Sequence, residues 1–250
     1  MTPQSAPLLP APSALHALTA SHSLTVIVPV LNEATRIKAA LDALVPLINR
    51  GAQIVVVDGG STDATAAIVS QFASQCAAVT LTHAPSGRAA QMNAGAQLAT
   101  AKHLLFLHAD THLPPHADAL VSAALASGPY VWGRFDVHIE GRSRWLRVIA
   151  AMMNTRSRIT GIATGDQALF MTQAVFTALQ GYAAQPLMED IELSQRLRKL
   201  SRPACLKAKV VTSGRRWETR GVWRTVLLMW RLRFSYWCGT QPEQLAQLYR

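Results

Sequence analysis

The sequence predicts an α/β fold with a mostly parallel central sheet and flanking helices. Three observations carry that expectation. Short apolar runs rich in β-branched residues alternate with stretches of helical spacing between Leu24 and Leu107, the βαβ order that builds parallel sheets. Those runs end in polar or glycine-rich clusters, as strands do beneath a ligand site. Half of the 250 residues are hydrophobic and 15% are charged, enough apolar material for a sizeable core. The same figures exclude wholesale disorder and the collagen-like and low-complexity classes.

The elements follow in order. Leu24 to Val30 is a first strand, and Glu33 to Ile48 a helix with apolar residues at Ile37, Leu41, Leu44 and Ile48. Gln53 to Val57 is a second, buried strand ending at Asp58-Gly59-Gly60. Ser61-Thr62-Asp63 can cap the next helix, to about Gln75. Val79 to Thr82 is a third strand, Gly87 to Thr100 a third helix, and His103 to Leu107 a fourth strand ending at His108-Ala109-Asp110. After Asp110 the alternation loosens. Pro114 to Ser127, Arg142 to Ser157 and Met188 to Leu200 have helical spacing, while Tyr130 to Ile139 and Leu206 to Thr212 have the pattern of strands. Thr219 to Cys238 is an aromatic, basic amphipathic helix. The chain divides into a flexible tail over residues 1–22, a main domain over 23–217 and a helical element over 218–250, which is too short to build much core alone.

The proline-rich tail has no Lys or Arg before Ser21, so it lacks the positive start of a signal peptide. Cys76, Cys205 and Cys238 are odd in number and far apart, which excludes a disulfide scaffold or a CxxC zinc ribbon and fits reduced thiols in the cytoplasm. The longest near-apolar stretch, Val222 to Cys238, is broken by Arg224, Arg231 and Arg233, so no spanning helix is expected. The formal charge is +10, and the whole excess lies late: from Arg196 to Arg250 there are thirteen basic residues against two acids. Such a block suits phosphates, nucleic acid or an anionic membrane surface, or is a solvated face with no specific partner. No nucleic-acid motif is interleaved with it. Trp217, Trp223, Trp230, Phe234, Tyr236 and Trp237 lie among the late arginines. This pattern fits an interfacial helix on anionic lipid, at the inner face of the membrane. It fits equally a helix whose aromatics pack as core while its arginines face water.

In open α/β sheets ligands bind beyond the carboxyl ends of the strands. That rule sets Glu33, Asp58 and Asp110 along one rim. Singly, Asn32-Glu33 can open a helix and Asp58-Gly59-Gly60 can form a turn; three acidic strand ends together point to a metal or a base and ribose reader. Glu189-Asp190 opens a helix, where acids are favoured in any case.

The strings Val26-Ile27-Val28-Pro29-Val30-Leu31-Asn32-Glu33, Val57-Asp58-Gly59-Gly60-Ser61-Thr62-Asp63, Gly87-Arg88 through Asn93-Ala94-Gly95, Leu107-His108-Ala109-Asp110, Gly165-Asp166 and Met188-Glu189-Asp190 resemble family 2 glycosyltransferases. Trp132-Gly133-Arg134-Phe135-Asp136, Thr160 to Ala168 and Thr212 to Glu218 resemble the bacterial subgroup named for arsenosugar biosynthesis. The resemblance implies the nucleotide-sugar-binding A-type glycosyltransferase fold. It also implies inverting, metal-dependent transfer from a nucleotide sugar, a UDP-sugar first among them, to a small or lipid-linked acceptor. Carotenoid glycosyltransferases and transferases acting on lipid carriers share these motifs.

By the same resemblance Asp58 contacts the base and Glu33 the nucleoside, while Arg88 and Asn93 line the nucleotide pocket. Asp110 holds Mn²⁺ or Mg²⁺ on the diphosphate, and Asp190 is the general base. Gly165, Asp166 and Glu189 flank the substrate, and Arg216-Trp217 partly matches a late Arg-Trp element. Two departures stand out: Gly59 replaces a second acid after strand two, and His108 replaces the first acid of the metal signature. Like-charge neighbours can raise a carboxyl toward a useful base. An oxidoreductase would need GxGxxG after strand one, where Pro29-Val30-Leu31-Asn32-Glu33 stands instead. A nucleotidyltransferase would need a glycine-rich basic loop there. A non-catalytic basic protein of membrane surfaces is the alternative outside enzymes.

Overall fold

The computed structural model describes residues 23–126 and 128–249; the tail expected over residues 1–22 lies outside them. The strands are β1 (Thr25–Val30), β2 (Gln53–Asp58), β3 (Val79–His83), β4 (His103–Phe106), β5 (Thr111–His112), β6 (Trp132–Glu140), β7 (Phe170–Thr172) and β8 (Ala204–Ser213). The helices are α1 (Ile37–Ile48), α2 (Thr65–Gln75), α3 (Arg88–Gln97), α4 (Ala117–Ala126), α5 (Trp145–Thr160), α6 (Gln173–Ala178), α7 (Glu189–Leu200), α8 (Arg215–Arg220), α9 (Val222–Trp237) and α10 (Pro242–Tyr249).

One sheet runs in the order β3-β2-β1-β4-β7-β6-β8-β5. Its first four strands are parallel, as expected. Beyond β4 the expectation of a mostly parallel sheet fails: β7 is antiparallel to both β4 and β6, β6 and β8 are parallel, and β5 is antiparallel to β8. The sheet is mixed. The strands that reverse it, β5 and β7, are two and three residues long, too short to show a period.

The period of two along β1 explains the layering. Val26, Val28 and Val30 join Ile37, Leu41 and Leu44 of α1 in one core cluster. Ile27 faces the other way and joins Met92 and Ala96 of α3 and Leu193 and Leu197 of α7 in a second. Strands buried on both faces need no polar residue, hence the unbroken apolar runs.

The C-terminal segment packs back on this body. The helix expected from Thr219 to Cys238 is two helices, broken at Gly221, whose φ of +84° suits glycine. Trp217, Val222 and Val226 lie against the first cluster, so the boundary placed after residue 217 falls inside α8. Leu232 of α9 and Leu245 of α10 are fully buried and form a third cluster with Met188 and Ile191. The opposite side of α9 leaves Trp223, Leu227, Trp230, Phe234 and Trp237 exposed. The helix therefore packs through Leu232 while most of its aromatics stay outside, contrary to the expectation that they pack as core. Among the described residues no helix is long and apolar enough to cross a membrane.

Candidate active site

Parallel pairing sets Val30, Asp58 and His83 side by side at the carboxyl ends of β1, β2 and β3. The loops that follow are stitched together. Asn32, at φ +55°, accepts the Thr62 N–H at 2.8 Å, and its own N–H donates to Ser61 Oγ at 2.9 Å. The Glu33 N–H donates to Thr65 Oγ1 at 2.8 Å, and the Ala34 N–H to Asp63 at 3.1 Å. Asp63 also accepts the Thr65 N–H at 2.9 Å, the cap the sequence suggests for α2. The Glu33 side chain pairs with Arg36 at 3.0 Å, on the first turn before α1.

Asp58 is buried at the rim. Burial alone would raise its carboxyl, but the Ser61 hydroxyl and N–H, the Gly60 N–H and His83 hold it below the ordinary range. Asp58 thus shapes the turn at residues 59–61. Gln91, which the sequence reading passed over, ties this rim to α3. Its Nε2 donates to the carbonyls of Val30 and Val57, both at 2.8 Å, capping two strand ends from below.

On α3, Arg88 is exposed at the first turn. Asn93 has a different task. Its amide donates to the Tyr182 carbonyl and accepts the Tyr182 N–H, both at 2.9 Å. Asn93 thus fixes the segment that leads into α7.

His108 beyond β4 and Asp190 at the start of α7 meet at the 3₁₀ turn Gly165–Gln167. Asp190 Oδ2 accepts the Gly165 N–H at 2.8 Å and Oδ1 the Ile191 N–H at 2.7 Å. His108, at the end of β4, sits with Nδ1 3.2 Å from Asp166 Oδ1. Its ring fills the space beside Gly165, where a Cβ would stand 2.6 Å from Cε1 and Nε2; only glycine fits. The surrounding protein would raise the Asp166 carboxyl, yet His108, Arg88 and Arg216 bring it to about 2. Glu189, 5% exposed, is pushed up to about 7 by burial and by Asp190, against the pull of Arg88 and His108. The carboxyl with raised proton affinity at this helix start is therefore Glu189. Glu192 is held apart by Arg196 in an ion pair at 2.5 Å.

Arg216 stands on α8 over the Tyr249 ring, 4.5 Å from its centroid. Burial and the nearby Arg88 and Arg220 lower its proton affinity, while Asp166 and Asp110 oppose that shift. Arg88, Arg216, Asp166 and Asp110 thus share one neighbourhood. Trp217 turns away and packs on the main core. Two further arginines, Arg156 of α5 and Arg233 of α9, lie within electrostatic reach of Asp190. No motif marks Arg156 in the sequence; Arg233 was noted only as one charge of a basic helix. Among the described residues Arg88, Arg156, Arg216 and Arg233 make no ion pair within 4.0 Å.

Among the described residues no three His, Cys, Asp or Glu side chains gather as a metal cage. Among the described residues Asp110 accepts one side-chain hydrogen bond, from the Thr111 hydroxyl at 3.4 Å. The Asp110 carboxylate borders a cleft of about 170 Å³ that Arg36, Glu140 and Ser213 also line. A lone accessible carboxylate fits a hard cation that takes its other ligands from phosphate oxygens and water. His108 faces Asp166 and does not join it.

A family model for glycosyl transferase family 2 matches residues 25–182, more than half of the chain. The chain is 35% identical over 113 residues to a PGL/p-HBAD biosynthesis glycosyltransferase of Mycobacterium tuberculosis (strain ATCC 25177 / H37Ra), covering 44% of each protein. It is 27% identical over 110 residues to the uncharacterized glycosyltransferase YibD of Escherichia coli K12, covering 43% of this chain and 32% of that one. The chain thus spans less than half the length of these relatives. In fold it is similar to the mannosyltransferase PcManGT from Pyrobaculum calidifontis, solved with GDP-Man and Mn²⁺ (TM-score 0.64, 20% identity, 91% of this chain and 68% of that one). It is also similar to S. aureus TarS, solved with UDP-GlcNAc (TM-score 0.62, 18% identity, 76% of this chain and 58% of that one). The named relatives do not support the arsenosugar subgroup.

Proposed function

The chain belongs to glycosyl transferase family 2, a glycosyltransferase enzyme by family and fold, and from that premise we propose that it moves a sugar from a nucleoside-diphosphate sugar to an acceptor hydroxyl with inversion. The observation that carries this reading is the convergence of Asp110, Asp166, Glu189 and Asp190 with Arg88 and Arg216 beyond the ends of the parallel strands. Transfer leaves a diphosphate with added negative charge. Arg88 and Arg216 stabilise it where that charge develops. Asp110 would hold a divalent cation, Mn²⁺ or Mg²⁺, whose contribution is to neutralise the leaving diphosphate. Glu33 and Asp58 serve the nucleoside. Asp190, its two oxygens oriented by the Gly165 and Ile191 N–H groups, takes the acceptor proton as the sugar carbon inverts. Gly165 orients that carboxylate, and Asp166, the next residue in the chain, engages His108.

The fold neighbours solved with UDP-GlcNAc and with GDP-Man and Mn²⁺ support a nucleotide-sugar donor and a divalent cation. A UDP-sugar is the first donor to test. The acceptor in this reading is a small or lipid-linked hydroxyl. The exposed aromatics of α9 continue onto α5, where Trp145 stacks edge-on against Trp223 at 4.7 Å and Val148 and Met152 are also exposed. With Arg142, Arg144 and Arg147 nearby in sequence, this surface supports peripheral contact with an anionic membrane.

A thermal-shift panel of UDP, GDP and their sugars, with and without Mn²⁺, tests the donor site. At 100 times Kd a ligand adds about 2.7 kcal/mol, a rise of roughly 5–10 °C for a chain of this size. One nucleotide is expected to give that rise with Mn²⁺ and to lose most of it in Asp110→Ala. A folded protein that responds to none of the panel refutes the donor reading.

A further inference from the structure

The donor reading uses Arg88 and Arg216 and leaves a second pair of guanidinium groups without a task. Arg156 is half-buried, and its Nε and Nη2 are sealed from solvent without a hydrogen-bond partner. A buried, charged donor left unpaired is costly, so the position of Arg156 calls for an anion that occupies it in the working enzyme.

The backbone around Arg156 is rigidly held. Asn154 bridges the Val137 N–H and carbonyl of β6 at 2.9 and 3.0 Å, and the next residue, Ser157, accepts from Gln167 at 3.1 Å. Gln167 ends the turn whose Gly165 N–H holds Asp190. Arg233 reaches the same place from α9, because its neighbour Leu232 is packed fully buried against Met188 and Ile191, the residues flanking Glu189-Asp190. α5, α9 and the turn at Gly165–Gln167 therefore meet near Asp190. Arg216 lies within electrostatic reach of Arg88 and Asp110, and Asp166 within reach of both Arg216 and Arg233.

We propose that Arg156 and Arg233 form a second anion site on the acceptor side of Asp190, and that the acceptor carries a phosphoryl group. The site deepens the reading of Asp190 as the base, since the base must lie next to the acceptor hydroxyl. Asp190 lies within electrostatic reach of both guanidinium groups and Asp166 of Arg233, yet Nε and Nη2 of Arg156 still have no hydrogen-bond partner. A phosphate monoester, with close to two negative charges and three acceptor oxygens, matches them.

The test is thermal protection by inorganic phosphate and by butyl phosphate, each with UDP or GDP and Mn²⁺ at saturation so that the donor side is filled. Wild type is expected to gain protection from phosphate beyond that of the nucleotide. In Arg156→Lys and in Arg233→Gln the phosphate concentration needed should rise at least about tenfold, with the nucleotide shift kept. Butyl phosphate acting at lower concentration than phosphate assigns the anion to a lipid-borne acceptor; equal concentrations assign it to a soluble one. Phosphate protection that is absent from wild type, or unchanged in both variants, overturns the proposal. Phosphate protection that depends on Arg156 and Arg233 while no nucleotide binds would leave the anion site standing and remove the donor reading.

Discussion

Asn93 separates two accounts of this site. The family resemblance implies that it lines the nucleotide pocket; its geometry makes it a clamp on Tyr182. In Asn93→Ala the Tyr182 N–H and carbonyl both lose their 2.9 Å partners. Tyr182 is 4% exposed and packs against Phe106 and Phe176, so water reaches those groups poorly. Each stranded group costs about 1–3 kcal/mol. Alanine returns about half a kcal/mol through helix propensity. The net loss is about 3 kcal/mol, which for a domain of this size lowers Tm by roughly 6–12 °C. Calorimetry gives the Tm, and a nucleotide titration below the new midpoint gives donor affinity, expected within about threefold of wild type. A variant that melts with wild type but no longer binds nucleotide would refute the clamp and return Asn93 to the pocket.

Other perturbations reach the chemistry directly. Asp190→Asn keeps an oxygen for the Gly165 N–H, so nucleotide affinity should hold while transfer falls about 10²–10⁴-fold; equal losses in both would deny Asp190 the role of base. Glu189 is pushed from 4.5 up to about 7. From about pH 4.5 to 7 the unfolded chain has therefore given up this proton while the folded one keeps it. Stability should fall by about 3 kcal/mol across that window and level off above it. Urea unfolding of Glu189→Gln at pH 5 and pH 8 should lack this drop, and a pH profile parallel to wild type would contradict the burial account. In Gly165→Ala the new Cβ displaces the His108 ring. The Asp166 carboxyl should then climb from about 2 toward the usual carboxylate range, read by NMR titration, and an unmoved Asp166 would rule out His108 as its partner.

Much of the site was legible because strand ends are local. Asp58 and Asp110 close apolar runs, and the rule that ligands sit beyond such ends set them on one rim before any coordinates. Ser61-Thr62-Asp63 was legible as a cap for the same reason, since a cap involves residues two or three apart. His108 was legible only as a departure from a motif. Its pairing with Asp166 spans 58 residues, and no local pattern announces it. Gln91 and Arg156 were invisible as functional residues. Gln91 acts on two carbonyls 61 and 34 residues away. Arg156 draws its meaning from α9, nearly eighty residues later.

By itself the sequence determined the alternation of strand and helix as far as Asp110, the burial of the parallel strands on both faces and the basic excess at the C-terminus. These follow from periodicity and composition within short windows. Tertiary structure alone decided that the sheet becomes mixed after β4, because β5 and β7 exist only through the partners that hydrogen-bond them. It alone decided that the C-terminal helices anchor Leu232 and Leu245 beside Glu189-Asp190 while leaving a row of aromatics outside. It also moved the raised proton affinity to Glu189, since burial and neighbouring charge are set by the packed surroundings of a carboxyl and not by its place in a motif.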